Sequence, residues 1–352
     1  MLNNFFKILN MRIEKIFTKL NFLLWNNPIK KLKRKKNKFI VDEIDLYEYK
    51  KIYEELNFAN LSHIQTPGYY LNKNYSYYLK ISHNNHIYGI VSLTKKSFFM
   101  GLINFIRIND GPLICKEFHK YKYLILIQII RFIKNKYTKL ISLSPPFIYK
   151  YDQPFKKLNF IKLRSYPKKT YILDLLNSEQ ELLKKLRGNW RNGLKKGLKL
   201  AKAKEINDIE ITKNILIDYN KYAKNLSFIP INSNKCLNWF FNNSENNGLL
   251  GLKIYQASSL KQPEKKLGTI GVLFFKQKAL YLFGFTNDIG RKYQANTLLL
   301  WHAIIESKKK GLKEFDLCGF NKKTPNGIKK FKEGLNGRII ETLGEYINIG
   351  LF

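Results

Sequence analysis

The sequence contains few cysteines and histidines, and none of them are arranged as metal ligands. The three cysteines, Cys115, Cys236 and Cys318, are isolated, and there is no Cys-x-x-Cys pair or His/Cys cluster. An odd number of scattered cysteines argues against a disulfide framework and against a structural metal site. The histidines also argue against a metal site, because His83 and His86 flank an Asn-Asn turn and His302 lies in an apolar helical segment. We therefore expect no metal.

Two catalytic signatures are also missing. The sequence has no Gly-x-Ser-x-Gly elbow and no phosphate-binding P-loop. A covalent acyl-enzyme on serine or cysteine is therefore disfavoured. The apolar run Tyr123–Ile133 has the length of a buried core helix and is too short to span a membrane.

Acidic residues are scarce relative to basic ones. The chain has 63 lysines and arginines against 26 aspartates and glutamates, a formal charge of +37 over 352 residues. A field of this size attracts polyanions such as RNA, anionic lipid or nucleotide-linked sugars, without choosing among them. The length favours two domains.

The first 40 residues are predicted to be a basic amphipathic extension. Apolar residues recur at helical spacing over residues 1–25, and the polybasic run Lys30–Lys36 follows Pro28. This pattern is typical of a helix that lies in an anionic membrane interface, and residues 1–38 are the predicted contact. A packing helix with a solvated tail, or an organelle transit peptide, are the alternatives.

Residues 41–165 are predicted to form a first α/β domain. Val41–Leu56 has the pattern of a strand followed by a helix, and Tyr77–Ser82 and Ile87–Thr94 that of a hairpin turning at Asn84-Asn85. Gly111-Pro112 interrupts the predicted strand Phe105–Ile114, and Lys122–Lys136 has the pattern of a helix before a strand at Leu140–Leu143.

Residues 166–337 are predicted to form a second domain, which begins with a strand at Thr170–Asp174. The helical stretch Glu179–Ala203 should break near Gly188 or Gly193, because glycine costs a helix interior roughly 1 kcal/mol. Its basic stripe could be a solvated face or a phosphate or RNA contact surface; the stripe consists of Arg187, Arg191, Lys195, Lys199 and Lys202. Ile209–Ile211 is predicted to be the next strand, followed by antiparallel strands at Gly248–Gln256, Leu267–Phe275 and Ala279–Phe285.

The block 281–337 has the order strand, loop, helix, strand and a turn carrying Phe331-Lys332 between glycines. The helix Asn296–Ile304 is apolar over most of its circumference, which predicts burial. Gly311 stands where a helix needs a left-handed C-cap, and the strand Phe315–Leu317 should pair in parallel with the strand before the helix.

This ordered set resembles the C-terminal signature of the Fem family, aminoacyltransferases that build peptidoglycan cross-bridges on two acetyltransferase-like (GNAT-type) domains. The segment His63–Tyr70 is similar to the family's early motif, a glutamine followed by serine or threonine and an aromatic residue. The resemblance implies two GNAT-like domains with mixed sheets, and a tail, residues 338–352, that packs back on the first domain. The sequence departs from the family at Cys318, where glycine is usual, and at Leu335-Asn336.

The resemblance also implies roles for particular residues. Lys332, with Phe331, corresponds to the family's pair at the acceptor channel, where the lysine stabilises the tetrahedral intermediate or helps transfer a proton; an ordinary surface lysine is the alternative. Asp316, Gly319 and Gly334 are expected to be structural near the site. Substrate binding is assigned to Gln65, Thr66, Tyr69, Arg187, Arg191, Lys195, Arg291 and Asn296.

No tightly bound cofactor is expected. Acetyltransferases hold the coenzyme A pyrophosphate on a loop of the type Arg/Gln-x-x-Gly-x-Gly/Ala, and the segment Arg291–Asn296 has Gln294 and Asn296 at the two small positions. A β-carbon there obstructs a close phosphate contact, so aminoacyl-tRNA is the expected donor in preference to acetyl-CoA.

The sequence thus predicts a cytoplasmic acyltransferase that moves an aminoacyl group from aminoacyl-tRNA to an amine of a peptidoglycan precursor or another cell-envelope acceptor. Its expected place is the inner face of the cytoplasmic membrane. Two alternatives stay open: an acyl-CoA-dependent N-acyltransferase of envelope polysaccharide or lipid, and a non-catalytic basic scaffold that binds membrane or RNA.

Overall fold

The computed structural model describes residues 39–69, 76–98, 103–138, 140–147, 155, 158–163, 169–226, 228, 230–242, 249–320 and 324–349. The predicted N-terminal helix, its polybasic run and Tyr70 of the early motif lie outside these residues. Residues 39–352 form one unit.

The described strands follow one another in this order: β1 Ile40–Ile44, β2 Ser76–His83, β3 His86–Phe98, β4 Ile103–Asn109, β5 Leu113–Ile114, β6 Leu140–Ser144, β7 Ile161–Lys162, β8 Lys169–Asp174, β9 Ala201–Ile206, β10 Gly251–Ser259, β11 Lys266–Phe275, β12 Lys278–Thr286, β13 Glu314–Phe320, β14 Arg338–Glu341 and β15 Tyr346–Ile349.

The described α-helices are α1 Leu46–Glu55, α2 Lys122–Lys136, α3 Glu179–Lys185, α4 Gly188–Leu200, α5 Ile209–Asn225, α6 Ser233–Asn242, α7 Asp288–Lys292, α8 Ala295–Lys309 and α9 Asn326–Glu333. Short 3₁₀ helices lie at His63–Gln65, Pro67–Tyr69 and Lys116–Tyr121.

The strands form two separate sheets with the same plan. The first has the order β1-β2-β3-β4-β6-β15-β7, with β5 beside β3, and the second the order β9-β10-β11-β12-β13-β8-β14. Each contains one parallel pair, β4–β6 or β12–β13, while its other pairs are antiparallel. A helix joins each parallel pair, α2 in the first sheet and α8 in the second, as a crossover requires.

Each sheet receives a strand from beyond its own stretch of chain. The sixth position of the first sheet is filled by the C-terminal strand β15, which pairs with β6 and β7. The preceding strand β14 pairs with β8 in the second sheet. The last 15 residues therefore contribute β14 to the second sheet and β15 to the first. The domain boundaries expected from the sequence, at 165/166 and 337/338, stay predictions.

Helices cover both faces of the second sheet. One apolar cluster joins the sheet to α3, α4 and α8, and a second joins its other face to α5 and α6. The predicted burial of the helix Asn296–Ile304 is confirmed, since most of its apolar side chains lie in the first of these clusters. Gly311 follows the C-cap of α8 at φ +74°, the left-handed conformation expected of it.

Three local predictions are wrong. Ile209–Ile211 is the first turn of α5, because the carboxylate of Asp208 accepts the backbone N–H of Ile211 at 2.8 Å and caps a helix. The helical stretch breaks before Gly188 as expected, but it ends at Leu200, and Ala201–Ala203 begins β9, so Lys202 leaves the helical stripe. Phe331 and Lys332 lie in the last turn of the helix α9 instead of in a glycine-bracketed turn.

Candidate functional site

The parallel strands β12 and β13 pair only where they begin. Their register runs from Lys278–Glu314 to Leu280–Asp316 and then stops. Both strands are irregular beyond that point: the register of β12 against β11 shifts near Leu282, and that of β13 against β8 shifts between Asp316 and Gly319. Beyond Leu280 and Asp316 the two strands are no longer hydrogen-bonded to each other, and we call this separation at the carboxyl end of the pair the gap.

Lys332 reaches the backbone of β13 at this gap. It is 5% exposed, and its Nζ donates to the carbonyl oxygens of Cys318 and Gly319, each at 3.2 Å. An ammonium group carries three N–H donors, so one remains without a partner among the described residues. Lys332 is therefore a buried lysine, and the alternative interpretation of it as an ordinary surface lysine is wrong.

Burial lowers the pKa of the Lys332 ammonium below its ordinary value, and the nearby Cys318 and Asp316 partly offset this effect. The group is thus a desolvated cation held by two neutral carbonyls. Such an environment strengthens the interaction of an ammonium with any negative charge that develops beside it.

Asp316 fixes the backbone that Lys332 contacts. Its Oδ1 accepts the N–H of Cys318 at 2.9 Å and also the hydroxyl of Thr170, while Oδ2 lies 3.2 Å from Nζ of Lys278. Cys318 is held at φ +62°, in the left-handed region that favours glycine. This conformation turns successive carbonyls of the strand toward Lys332.

The helix α9 is docked onto α4 through Trp190. The indole N–H of Trp190 donates to the carbonyl of Phe331 at 3.0 Å, and the two rings are 5.6 Å apart. A Cβ on Gly334 would lie 2.3 Å from Cδ1 of Trp190, so only glycine admits this contact. The backbone N–H of Arg187 also donates to the carbonyl of Gly334 at 2.9 Å. Sequence analysis missed Trp190, although a tryptophan between two glycines of a basic helix was a usable signal.

Gln65 ends the 3₁₀ helix His63–Gln65, and its buried side-chain amide bonds the backbone of β3 and of the last residue of β4 in the first sheet. Its Nε2 donates to the carbonyls of Asn109 and Ser92, at 2.6 and 3.2 Å, and its Oε1 accepts the N–H of Ser92 at 2.8 Å. Thr66 is also buried and donates to the carbonyl of His63. Both side chains are used internally, so this geometry gives them a structural role and leaves their predicted substrate contact without support.

Tyr69 lies where the first half meets α6. Its ring stacks on Trp239 at 5.5 Å, and Nζ of Lys235 lies 4.1 Å from the ring centroid. Burial raises the pKa of the Tyr69 hydroxyl, and Asp110 raises it further. Of the three residues assigned from the early motif, Tyr69 is the one that the fold leaves partly exposed.

The predicted basic residues lie on an outer surface. Arg191 and Lys195 are exposed on α4, and Arg187 is exposed at its N-cap, 3.7 Å from Glu333. Arg291 is engaged by Asp288 and by the carbonyl of Thr286 at 3.1 Å. The structure therefore does not bring these side chains to the gap that Lys332 occupies.

Asn296 and Tyr281 form a polar pair that the sequence prediction named only in part. Burial raises the pKa of the Tyr281 hydroxyl, and a hydrogen bond from Asn296 partly offsets the rise. Oδ1 of Asn296 is buried without a partner among the described residues. Gly284 makes room for the phenol, because a Cβ there would lie 2.2 Å from the Tyr281 oxygen.

The start of α8 is covered by α4. Gln294 precedes the helix at φ +58°, and a Cβ added to Gly193 would lie 3.0 Å from its Oε1. A Cβ on Gly197 would lie 3.2 Å from its carbonyl oxygen. The helix N-terminus that could otherwise receive a phosphate is thus in close contact with protein.

Two kinds of feature are absent from the residues that the structure describes. No group of three or more metal-ligating side chains occurs within the described ranges. Nor does that part of the chain contain a helix that is both long and apolar enough to cross a membrane.

A family model described as the FemAB family matches residues 252–349. No curated protein matches the sequence. Among solved structures, the crystal structure of FemX matches at TM-score 0.69 and 15% identity, over 88% of this chain and 97% of that one.

Two other structures share the fold. L-PGS from Bacillus licheniformis matches at TM-score 0.52 and 10% identity, over 91% of this chain and 95% of its own. A tandem GNAT protein from the clavulanic acid biosynthesis pathway matches at TM-score 0.50 and 9% identity, over 88% of this chain and 98% of its own. These comparisons confirm the predicted fold class, two GNAT-like domains with mixed sheets, and the resemblance of the C-terminal block to the Fem family, and they indicate an acyltransferase.

Proposed function

We propose that the protein transfers an aminoacyl group from aminoacyl-tRNA to an amine of a peptidoglycan precursor. The observation that carries this proposal is the buried ammonium of Lys332, which lies at the separation of β12 and β13 with one N–H unused among the described residues. The FemAB match over residues 252–349 includes both strands and Lys332, and so supports the same chemistry.

In the proposed reaction the acceptor amine attacks the ester carbonyl of the donor and forms the new C–N bond. The carbonyl oxygen becomes an oxyanion, to which Lys332 donates its free N–H. Collapse of the intermediate breaks the ester C–O bond, and the proton lost by the amine leaves with the released tRNA hydroxyl. A fixed donor of this kind lowers the barrier because it is strongest when the charge is present.

Aminoacyl-tRNA is proposed as the donor in preference to acetyl-CoA. The contact of Gly193 and Gly197 with Gln294 fills the space over the start of α8, where a pyrophosphate would need exposed backbone N–H groups. The exposed basic face of α4 offers a surface for the phosphates of an RNA, with Arg191, Lys195 and Lys199 pointing to solvent.

The test is single-turnover transfer by the purified full chain. Labelled aminoacyl-tRNAs and labelled acetyl-CoA are offered separately with a peptidoglycan precursor that carries a free amine, and the product is identified by mass spectrometry. Transfer from aminoacyl-tRNA alone supports the proposal. Transfer from acetyl-CoA would instead favour the acyl-CoA-dependent enzyme. The absence of transfer from either donor would favour the non-catalytic scaffold.

Lys332→Met is the variant that probes the chemistry. Loss of one oxyanion donor lowers the rate about 10²–10³-fold, so the same loss is expected here with substrate binding little changed. Lys330→Met is the matched control, because Lys330 is exposed on the same helix and its loss removes the same charge. Turnover by Lys332→Met equal to that of Lys330→Met would remove Lys332 from the mechanism.

A further inference from the structure

A cavity lies between the two halves of the unit. Its volume is about 690 Å³, and it opens where β12 and β13 begin, next to the chain that follows α1. Lys332 does not line it. Six basic side chains do: Lys116, Lys185, Lys276, Lys278, Lys313 and Arg338.

Four of these cations have no carboxylate partner among the residues that the structure describes. The lining carboxylates are Asp174 and Glu314, and Glu314 lies 3.4 Å from Arg338 and 3.7 Å from Lys278. Lys278 is further paired with Asp316 at 3.2 Å. The others form no ion pair within the described part of the chain; they are Lys116, Lys185, Lys276 and Lys313.

Lys276 is the most enclosed of the four. It stands at the tip of the β11–β12 hairpin at φ +46°, and its Nζ donates to the carbonyls of Leu56 and Glu54 at 2.6 and 3.4 Å. It also lies 4.9 Å from the ring centroid of Tyr53, and burial lowers its pKa. Its hydrogen-bond partners are neutral carbonyls, and the Glu54 carboxylate offsets the burial of the ammonium only in part. An anion beside it would offset more of that cost.

The rest of the lining is largely apolar. Phe58, Leu173, Leu182 and Leu335 are buried residues on its wall, and the amide side chains of Asn57 and Gln277 stand among the lysines. A concave site with an apolar wall and convergent cations suits a small molecule that has both an apolar and an anionic part. Lysines are compact point charges and are common ligands of phosphate.

We propose that this cavity binds a phosphate-bearing small molecule with an aromatic portion, of the nucleoside diphosphate class, at a site separate from Lys332. The inference does not depend on the proposed acyl transfer. The same chemistry could come from a free nucleotide or from a nucleotide within an RNA strand, and the proposal is for the free nucleotide.

The experiment is calorimetric titration of the full chain with ADP, UDP, inorganic pyrophosphate and a short single-stranded RNA, at fixed ionic strength. The cavity variant is Lys116→Met with Lys313→Met, since both side chains are exposed and their loss should leave the fold intact. The matched control is Lys221→Met with Lys265→Met, two exposed lysines that do not line the cavity.

We expect a nucleoside diphosphate to bind the wild-type and control proteins and to bind the cavity variant at least about tenfold more weakly, since the variant loses two charge-assisted hydrogen bonds to phosphate. Pyrophosphate should bind more weakly than ADP. In the wild-type protein, ADP should also protect Lys116 and Lys313 from amine-reactive labelling, mapped by mass spectrometry.

Equal weakening in the two double variants would overturn the proposal, because it would mean that the general positive field attracts the ligand. Binding of RNA without binding of free nucleotides would also overturn it. So would the absence of any nucleotide binding, or unchanged labelling of both lysines in its presence.

Discussion

At the scale of single residues, the site depends on a cation that the fold buries at a cost. Lys332 is held by the carbonyls of Cys318 and Gly319, and Asp316 holds Cys318 in the conformation that presents them. A left-handed φ costs a residue with a β-carbon roughly 1–2 kcal/mol. The departure at Cys318 from the family's glycine is therefore a tolerated strain, and the fold shows why glycine suits the position.

The lowered pKa of Lys332 predicts a pH dependence of stability. Burial disfavours the charged form in the folded protein, so the penalty is complete below the folded-state pKa. It disappears as pH rises toward the unfolded value near 10.5. The free energy of unfolding of the wild type should therefore rise relative to that of Lys332→Met between pH 7 and pH 10.

Urea unfolding at several pH values measures this difference. Lys330→Met is again the control, and its difference from the wild type should stay flat over the same range, since Lys330 is exposed. If the free energy of unfolding of the wild type minus that of Lys332→Met fell as pH rises, the result would contradict the burial argument.

At the scale of elements, the contact between α9 and α4 positions Lys332. Trp190 binds the carbonyl of Phe331 and packs against Gly334, so the last turn of α9 is fixed from one side by a single indole. Lys332 is fixed from the other side by β13. The cation is thus placed by β13, whose contacting residues lie 13 and 14 positions earlier, and by α4, whose Trp190 lies 141 positions before Phe331.

Gly334→Ala tests this packing. The added methyl would meet Trp190 at 2.3 Å, and overpacking of this kind costs about 1–3 kcal/mol of unfolding free energy. In a Trp190→Leu background the same substitution should cost less than about 0.5 kcal/mol, because the clash is gone. Urea unfolding of the four proteins completes the cycle.

Gly327→Ala is the matched control for that cycle. Gly327 lies in the same helix with no atom within 4 Å of an added Cβ, so alanine there should be neutral or stabilising by up to about 1 kcal/mol. Additive costs for Gly334→Ala and Trp190→Leu would show that the indole does not position α9.

The elements around Lys332 were predictable where the signal is local. The apolar circumference of α8, the glycine after it and the short strand β13 are all readable from neighbouring residues, and their parallel pairing with β12 is confirmed. The first turn of α5 was not recognised, because Ile209–Ile211 resembles a strand when the capping Asp208 is overlooked.

The burial of Lys332 depends on partners that lie 13 and 14 residues earlier, on a strand whose register slips at that point. No periodicity within α9 indicates such a contact. The internal role of Gln65 was hidden for the same reason, since its partners Ser92 and Asn109 are 27 and 44 residues away.

At the scale of the whole molecule, the charge of +37 and the basic N-terminal extension predict attraction to anionic membranes. Each basic residue near such a surface contributes about 1 kcal/mol, and residues 1–38 hold a dense group of them. We expect the full chain to co-sediment with phosphatidylserine vesicles, and a chain beginning at residue 39 to do so far less. Equal sedimentation of the two would assign the attraction to the rest of the surface.

The exchange of strands links the two halves. β15 fills the position between β6 and β7, where Tyr346 stacks on Phe155 at 4.6 Å and Nδ2 of Asn348 donates to the carbonyls of Leu158 and Asn159 at 3.0 and 3.1 Å. Without β15, the strands β6 and β7 would each lose a hydrogen-bonded neighbour. Residues 39–163 alone should therefore fail to unfold cooperatively in urea.

The missing strand can be restored by one turn. Lys162 is opposite Tyr346 in an antiparallel register, and the N–H of Leu163 donates to the carbonyl of Glu345 at 2.9 Å, so a short Asn-Gly linker from 163 to 344 spans the gap. Residues 39–163 joined in this way to 344–352 should show a single cooperative transition by circular dichroism. The same fusion with Tyr346→Asp is the control and should not, because it places an unpaired charge beside the buried Phe155. Cooperative folding of 39–163 without the added strand would mean that the first sheet does not need β15, and that the two halves are linked only by the chain that joins them.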